Sequence, residues 1–237
     1  MKDGFIRVAA ATPDIHVADP QYNSEQIIEL MEQGSARGVK VMAFPELCLT
    51  AYTCSDLFLQ ESLLREAKKE LKRILQASKS KDMILFVGMP WMHKGKLYNV
   101  AAVLNRGRIL GIVPKKHLPN YSEFYELRHF NPGMEKVEMT DWEGVQVPMG
   151  MNLLFACRTM PELVLAAELC EDVWVPCPPS ISHALAGATV IANCSASDET
   201  TGKDQYRYNL ICGQSARLVC GYIYANAGEG ESSQDLV

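Results

Sequence analysis

Residues 164–178, VLAAELCEDVWVPCP, decide how the rest of the chain is read. Leu163 to Ala167 form an apolar run with the length and composition of a buried strand. The run stops at Glu168-Leu169-Cys170-Glu171-Asp172, so a thiol stands where a buried strand meets an acidic turn. Sites in open α/β proteins lie at the carboxyl ends of strands, and Cys170 occupies such a position. Most free cysteines are simply small buried hydrophobes, so this stretch alone leaves both readings open.

Working outward, FIRVAAA (5–11) reads as a first strand. Asn23-Ser24-Glu25-Gln26 offers a capping-box-like start, and Ile27, Ile28, Leu30, Met31 and Ala36 follow at roughly helical spacing up to Gly38. VKVMAF (39–44) is the next strand, and a strand–helix–strand opening predicts an α/β fold. Residues 61–78 carry the clearest amphipathic stripe: Leu63, Leu64, Ala67, Leu71, Ile74 and Leu75. Three strands then follow over 83–89, 97–104 and 108–113, the last two joined by a hairpin turn at Asn105-Arg106-Gly107. Strands in succession without helices between them require a mixed sheet.

Residues 120–133 are dense in aromatics and charges and suit a pocket wall better than a core. Beyond them the pattern predicts a turn and a strand over 152–156, the strand leading to Cys170 and a short helix over 183–187. A strand over 189–194, a helix over 203–219 and a last strand over 221–226 follow, then a small polar tail over 228–237. No linker-like break and no internal repeat interrupts this order, so one α/β domain over 1–237 is expected.

The net charge of −5 argues against a broad nucleic-acid or anionic-membrane surface. No apolar run approaches a membrane span, and Asp3 and Arg7 interrupt any signal-peptide pattern. The eight cysteines include no CxxC pair and have no histidines at metal-ligand spacing beside them, which argues against a metal site. Several sit in apolar runs, as reduced thiols do, and the chain reads as cytoplasmic.

Two more polar residues share the setting of Cys170. Glu46 follows the strand 39–44 after Pro45, and Lys115 follows the strand 108–113 after Pro114. Taken singly, they are a loop carboxylate and a surface lysine. If the three strands neighbour one another, all three side chains project from one edge of the sheet. A nearby lysine lowers a thiol pKa, a partly buried carboxylate can move protons near neutral pH, and a cation can stabilise an oxyanion. These parts suit acyl transfer through a covalent thioester.

FPELCLTAY (44–52), PKKHLPNYSEFYE (114–126) and ELCEDVW (168–174), in this order, resemble the three motif segments of the nitrilase (carbon–nitrogen hydrolase) superfamily. NYSEFYELRHF (120–130) and IANCSASDETTGKDQYR (191–207) are most similar to the glutaminase-domain branch found in glutamine-dependent NAD synthetases. The resemblance runs from FIRVAAATP to YIYANAGEG. It implies a four-layer α-β-β-α sandwich with mixed sheets that pairs into homo-oligomers. It implies Glu46 as general base, Lys115 as catalytic lysine and Cys170 as nucleophile. Glu126 matches the second glutamate, with Glu123 a nearby competitor. Tyr52, Tyr121, Glu171, Trp174, Ser197 and Lys203 match the glutamine pocket. There Glu171 suits the substrate α-ammonium and Lys203 its α-carboxylate, without the bidentate geometry an arginine would give.

The branch continues into a synthetase domain that binds ATP and magnesium through an SGG-type phosphate loop. No such loop occurs in these 237 residues. The chain also stops at Gln234-Asp235-Leu236-Val237, short of the family's usual final strand. The expectation is therefore a glutaminase domain, excised or truncated, with no cofactor of its own and the synthetase domain of a parent chain as its partner. A stand-alone amidase or nitrilase-type hydrolase on another amide, and a non-catalytic assembly domain, are the alternatives.

Overall fold

The computed structural model describes residues 4–231. The expected polar tail lies outside the described residues from position 232, as does the point where the chain stops. The elements are β1 (Arg7–Ala10), α1 (Pro20–Ala36), β2 (Val39–Ala43), α2 (Glu61–Ser78), β3 (Ile84–His93), β4 (Lys96–Asn105) and β5 (Arg108–Pro114). They continue with β6 (Glu138–Trp142), β7 (Val145–Met149), β8 (Phe155–Ala156), β9 (Val164–Leu169), α3 (Pro179–Leu185), β10 (Val190–Cys194), α4 (Lys203–Leu218) and β11 (Gly221–Ala225).

Two mixed sheets form, one of seven strands in the order β1-β2-β3-β4-β5-β7-β6 and one of four in the order β11-β10-β9-β8. The period of two along each strand separates two apolar sets. Leu85, Val87 and Met89 of β3 face α1 and α2 together with Ile27, Met31, Leu71 and Ile74. Phe86 points the other way, into a core shared with Leu165, Ala167, Leu169, Ala192 and Ile223 of the smaller sheet. Helices α3 and α4 pack on β9 and β11, covering the smaller sheet. The layers therefore run α-β-β-α, with the sheet-to-sheet core in the middle.

Several boundaries differ from the sequence reading. Helix α1 starts at Pro20, capped by Asp19, whose carboxylate accepts from the Tyr22 amide at 3.0 Å. Asn23 and Ser24 are instead buried inside it, Ser24 donating to Glu70 at 2.6 Å. Strands β6 and β7 form a hairpin where only a turn was expected, with Glu143 and Gly144 both at positive φ. The strand expected over 152–156 shrinks to Phe155–Ala156, and α3 starts earlier, at Pro179.

The condition that the three site strands neighbour one another does not hold. β2 and β5 are separated by the β3–β4 hairpin, and β9 belongs to the other sheet. Glu46 and Lys115 meet because β2 and β5 run parallel to β3, and the second sheet, packed face to face with the first, brings the Cys170 turn within range of their charges. The Glu46 amide donates to the carbonyl of Ser195, just past β10, at 3.2 Å, which ties the two sheets at this end.

Candidate active site

Glu46 sits on a turn pressed against β3. The turn fits because position 88 has no side chain: a Cβ there would lie 2.2 Å from the Pro45 oxygen and 2.4 Å from the Leu47 nitrogen. Lys115 extends β5 by one more ladder bond, its amide donating to the Asn99 carbonyl of β4 at 2.9 Å. Cys170 is the first residue past β9 and opens a 3₁₀ turn over Cys170–Val173. Its φ of +39° lies in the left-handed region, which costs a non-glycine residue energy and recurs at functional turns.

Lys115 Nζ lies 2.6 Å from Glu46 Oε1 and 2.5 Å from Glu126 Oε1. Asn99 Nδ2 donates to Glu46 Oε1 at 2.6 Å and to Glu126 Oε2 at 3.3 Å, and the Tyr52 hydroxyl donates to Glu126 at 2.7 Å. All five residues are buried. Burial acts to discharge Lys115, but the Glu126 and Glu46 charges outweigh it and hold the ammonium well above the ordinary lysine range. Glu46 is pushed up to about 7, by burial first and by the Glu126 charge, against the pull of Lys115. Its second oxygen, Oε2, has no hydrogen-bond partner among the described residues.

The Cys170 thiol feels both partners. Burial and the Glu46 carboxylate push it up to about 12, and the opposing effect of Lys115 is smaller. The sequence expectation of a lysine-lowered thiol is thus reversed, because desolvation of a fully buried thiolate outweighs one cation that two carboxylates already neutralise. The thiol is therefore neutral near pH 7, and Glu46, whose charge reaches it and whose Oε2 is free of partners among the described residues, changes protonation in that range. A thiol so buried becomes a thiolate only with a base at hand.

The remaining predicted residues fall into three contacts. The Tyr121 hydroxyl donates to Glu171 at 2.9 Å. Burial raises the Glu171 pKa, and the charges of Lys115, Glu126 and Lys203 all reach it. Trp174 stacks on Tyr206 with centroids 5.6 Å apart, and Lys203 Nζ lies 5.2 Å from the centre of its ring. Lys203 is ion-paired with Asp198, so its ammonium already has a partner. Ser197 is buried and bonded through its backbone to Asn226 at 2.8 and 3.1 Å. Of the two competing glutamates, Glu126 is the one against Lys115. Glu123 lines a cavity of about 100 Å³ together with Tyr52, Tyr125 and Glu126. A larger cavity of about 660 Å³, lined by Lys40, Arg106, Arg108 and Arg158, contains none of these residues.

Three site residues escaped the sequence reading. Asn99 and Asn193 each interrupt an apolar strand, in LYNVAAV and VIANC, and that interruption was their only signal. Asp172, buried, accepts from the amides of Leu169 at 3.1 Å and His117 at 2.8 Å, joining the Cys170 turn to the segment after Lys115. Among the described residues, no group of three or more His, Cys, Asp or Glu is placed to hold a metal, and no helix is long and apolar enough to cross a membrane.

Known proteins resemble this chain in sequence and in fold. The sequence model of the family described as carbon–nitrogen hydrolase matches residues 7–228. A glutamine-dependent NAD(+) synthetase of Mycobacterium tuberculosis is 42% identical over 233 residues, 98% of this chain and 34% of that protein. The crystal structure of a glutamine-dependent NAD(+) synthetase from Cytophaga hutchinsonii superposes with a TM-score of 0.84 at 29% identity, covering 94% of this chain and 36% of that one. An amidase from Nesterenkonia sp. shares the fold, with a TM-score of 0.75 at 19% identity over 100% of this chain and 81% of that one. The chain spans about a third of the length of the curated relatives it matches.

Proposed function

This chain belongs to the carbon–nitrogen hydrolase family, and on that premise we propose that it hydrolyses the side-chain amide of glutamine through a thioester on Cys170. The ammonia released would serve NAD synthesis by a glutamine-dependent NAD synthetase. The observation that carries the reading is the buried Glu46–Lys115–Glu126 cluster, whose Glu46 and Lys115 charges reach a buried thiol at a strained strand end.

Glu46 takes the thiol proton as Cys170 sulfur attacks the amide carbon, and the carbonyl π electrons move to its oxygen. Lys115 has three N–H bonds, two of which meet the carboxylates, so the third is free for that oxyanion. Glu46 then gives its proton to the departing nitrogen, the C–N bond breaks and ammonia leaves a glutamyl thioester. The same carboxylate takes a proton from water, whose oxygen attacks the thioester. The C–S bond breaks, glutamate forms, and the proton returns to sulfur. Glu126, held by Tyr52, Asn99 and Lys115, fixes the ammonium. Each step uses side chains, substrate and water; ATP and magnesium would serve a synthetase domain.

Glu171 supplies a carboxylate for the substrate α-ammonium, with Tyr121 orienting it. Lys203 supplies a cation for the α-carboxylate, shared with Asp198. Incubation with glutamine tests the reading. Ammonia should appear, Cys170→Ala should abolish it, and kcat/KM should favour glutamine over a panel of other amides and nitriles. Ammonia release unchanged in Cys170→Ala would remove the thiol from the chemistry.

A further inference from the structure

Behind the nucleophile, polar groups from five elements form one unbroken file. Gln214, the buried residue of α4, donates from Nε2 to Ser180 Oγ at 2.8 Å. The Ser180 amide donates to Glu168 Oε2 at 2.8 Å, and the Tyr222 hydroxyl donates to Glu168 Oε1. Asn193 Nδ2 donates to the Tyr222 oxygen at 3.1 Å. Asn193 Oδ1 accepts the Cys170 N–H at 3.1 Å. Glu168, Asn193 and Cys170 are each at most 4% exposed.

The direction of the file follows from what each group can do. An ionised carboxylate only accepts. Burial raises the Glu168 pKa, while the bonds from Tyr222 and Ser180 favour the ionised form. With the Ser180 amide on one oxygen, the other takes the single proton of Tyr222. That hydroxyl then shows only lone pairs to Asn193, which must turn its NH₂ end toward it. The carbonyl end is left facing the Cys170 N–H. The bond it makes holds a residue whose backbone sits at a φ of +39°.

We infer that Glu168, Tyr222 and Asn193 are positioning residues for the nucleophile: the buried carboxylate dictates which end of the Asn193 amide meets the Cys170 N–H, and so holds the turn that aims the thiol. The inference rests on Cys170 being the nucleophile of the proposed reaction. None of the three residues touches the reacting atoms.

A swap of polarity tests it. In Glu168→Gln the Ser180 amide still demands an acceptor, so the new NH₂ faces Tyr222. The hydroxyl then turns its proton toward Asn193, and the Asn193 amide flips so that its NH₂ confronts the Cys170 N–H. In Asn193→Asp alone, a carboxylate oxygen confronts the Tyr222 lone pairs. In the double variant Glu168→Gln/Asn193→Asp the file runs in reverse without conflict. The introduced amide donates to Tyr222, Tyr222 donates to the introduced carboxylate, and that carboxylate accepts the Cys170 N–H. The formal charge is moved, not changed.

Each single variant should lose about tenfold to a hundredfold in kcat for glutamine hydrolysis, with KM little altered, because a buried hydrogen bond is replaced by a repulsion, at the Cys170 N–H in Glu168→Gln and at the Tyr222 hydroxyl that backs it in Asn193→Asp. The double variant should return to within about threefold of the parent, the departure from additivity that marks direct coupling. Alkylation of Cys170 by iodoacetamide, followed by peptide mass, should show the same loss and recovery. That readout needs no glutamine turnover, so a parent chain inert toward glutamine overturns the substrate reading while the alkylation cycle still decides the relay. Additive losses in the double variant, or single variants that react at the parent's rate, would overturn the inference. Should Glu168→Gln not fold, Tyr222→Phe replaces it: it breaks the file in the middle, so its loss should not be recovered by adding Asn193→Asp, and recovery would overturn the relay.

Discussion

Lys115 Nζ lies 2.6 Å from Glu46 Oε1, and neither side chain has any surface exposed to solvent. Glu126 takes a second bond from the same ammonium at 2.5 Å. One cation thus holds two buried carboxylates. Removing one partner of a buried ion pair is far more damaging than the net worth of the pair, because it strands the other charge. Lys115→Met should therefore lower unfolding stability by about 3–5 kcal/mol in urea titration and abolish amide hydrolysis. An unchanged unfolding midpoint would show that the carboxylates do not depend on Lys115.

Glu46 is pushed up to about 7 by burial, and the mechanism needs it ionised to accept the thiol proton. The kcat/KM for glutamine should therefore rise with pH along a limb centred near 7, with Lys115 still charged above it. A limb centred near the ordinary carboxylate value would contradict a buried base.

The same shift has a sign for stability. A carboxyl whose folded pKa exceeds its unfolded one binds its proton more tightly in the folded state. Its contribution is full below the unfolded value and lost as pH rises through the folded value. Glu46 rises from 4.5 to about 7, and Asp172 rises from 3.8 to about 7, also by burial first. Stability should fall between about pH 5 and pH 7. Asp172→Asn should flatten that slope; an equally steep slope in the variant would remove Asp172 from the effect.

Gly88→Ala places a methyl group 2.2 Å from the Pro45 oxygen and 2.4 Å from the Leu47 nitrogen, both backbone atoms of the Glu46 turn. The turn must shift, which should cost about 1–3 kcal/mol and reduce kcat by about a hundredfold, as small displacements of catalytic groups do. Gly213→Ala in α4 meets nothing within 4 Å and should stabilise the helix by up to about 1 kcal/mol. Equal effects at the two positions in thermal unfolding and activity would contradict the close-approach account.

Much of the outer architecture was legible because it rests on local patterns. The stripe of α2 and the apolar runs of β2, β4 and β9 announce themselves by period and length. The β6–β7 hairpin escaped because EMTDW and VQVPM are short and broken by Thr140 and Pro148, with only Glu143-Gly144 as a turn signal. A shared position just past an apolar strand brought Glu46, Lys115 and Cys170 to notice. How they meet did not follow, since it depends on two sheets packing face to face. Asn99 reaches Glu46 and Glu126, Asn193 reaches Cys170 and Asp172 reaches His117 across 23 to 55 positions, a distance over which no local pattern speaks; only the Asp172 bond to Leu169 is local.

The most direct measurement is mass spectrometry of the chain quenched with acid during turnover of glutamine. The account predicts an adduct of one glutamyl group on the peptide that contains Cys170, formed before ammonia release is complete and absent from Cys170→Ala. Ammonia released from glutamine at an undiminished rate by Cys170→Ala, with no adduct on the parent chain, would contradict it.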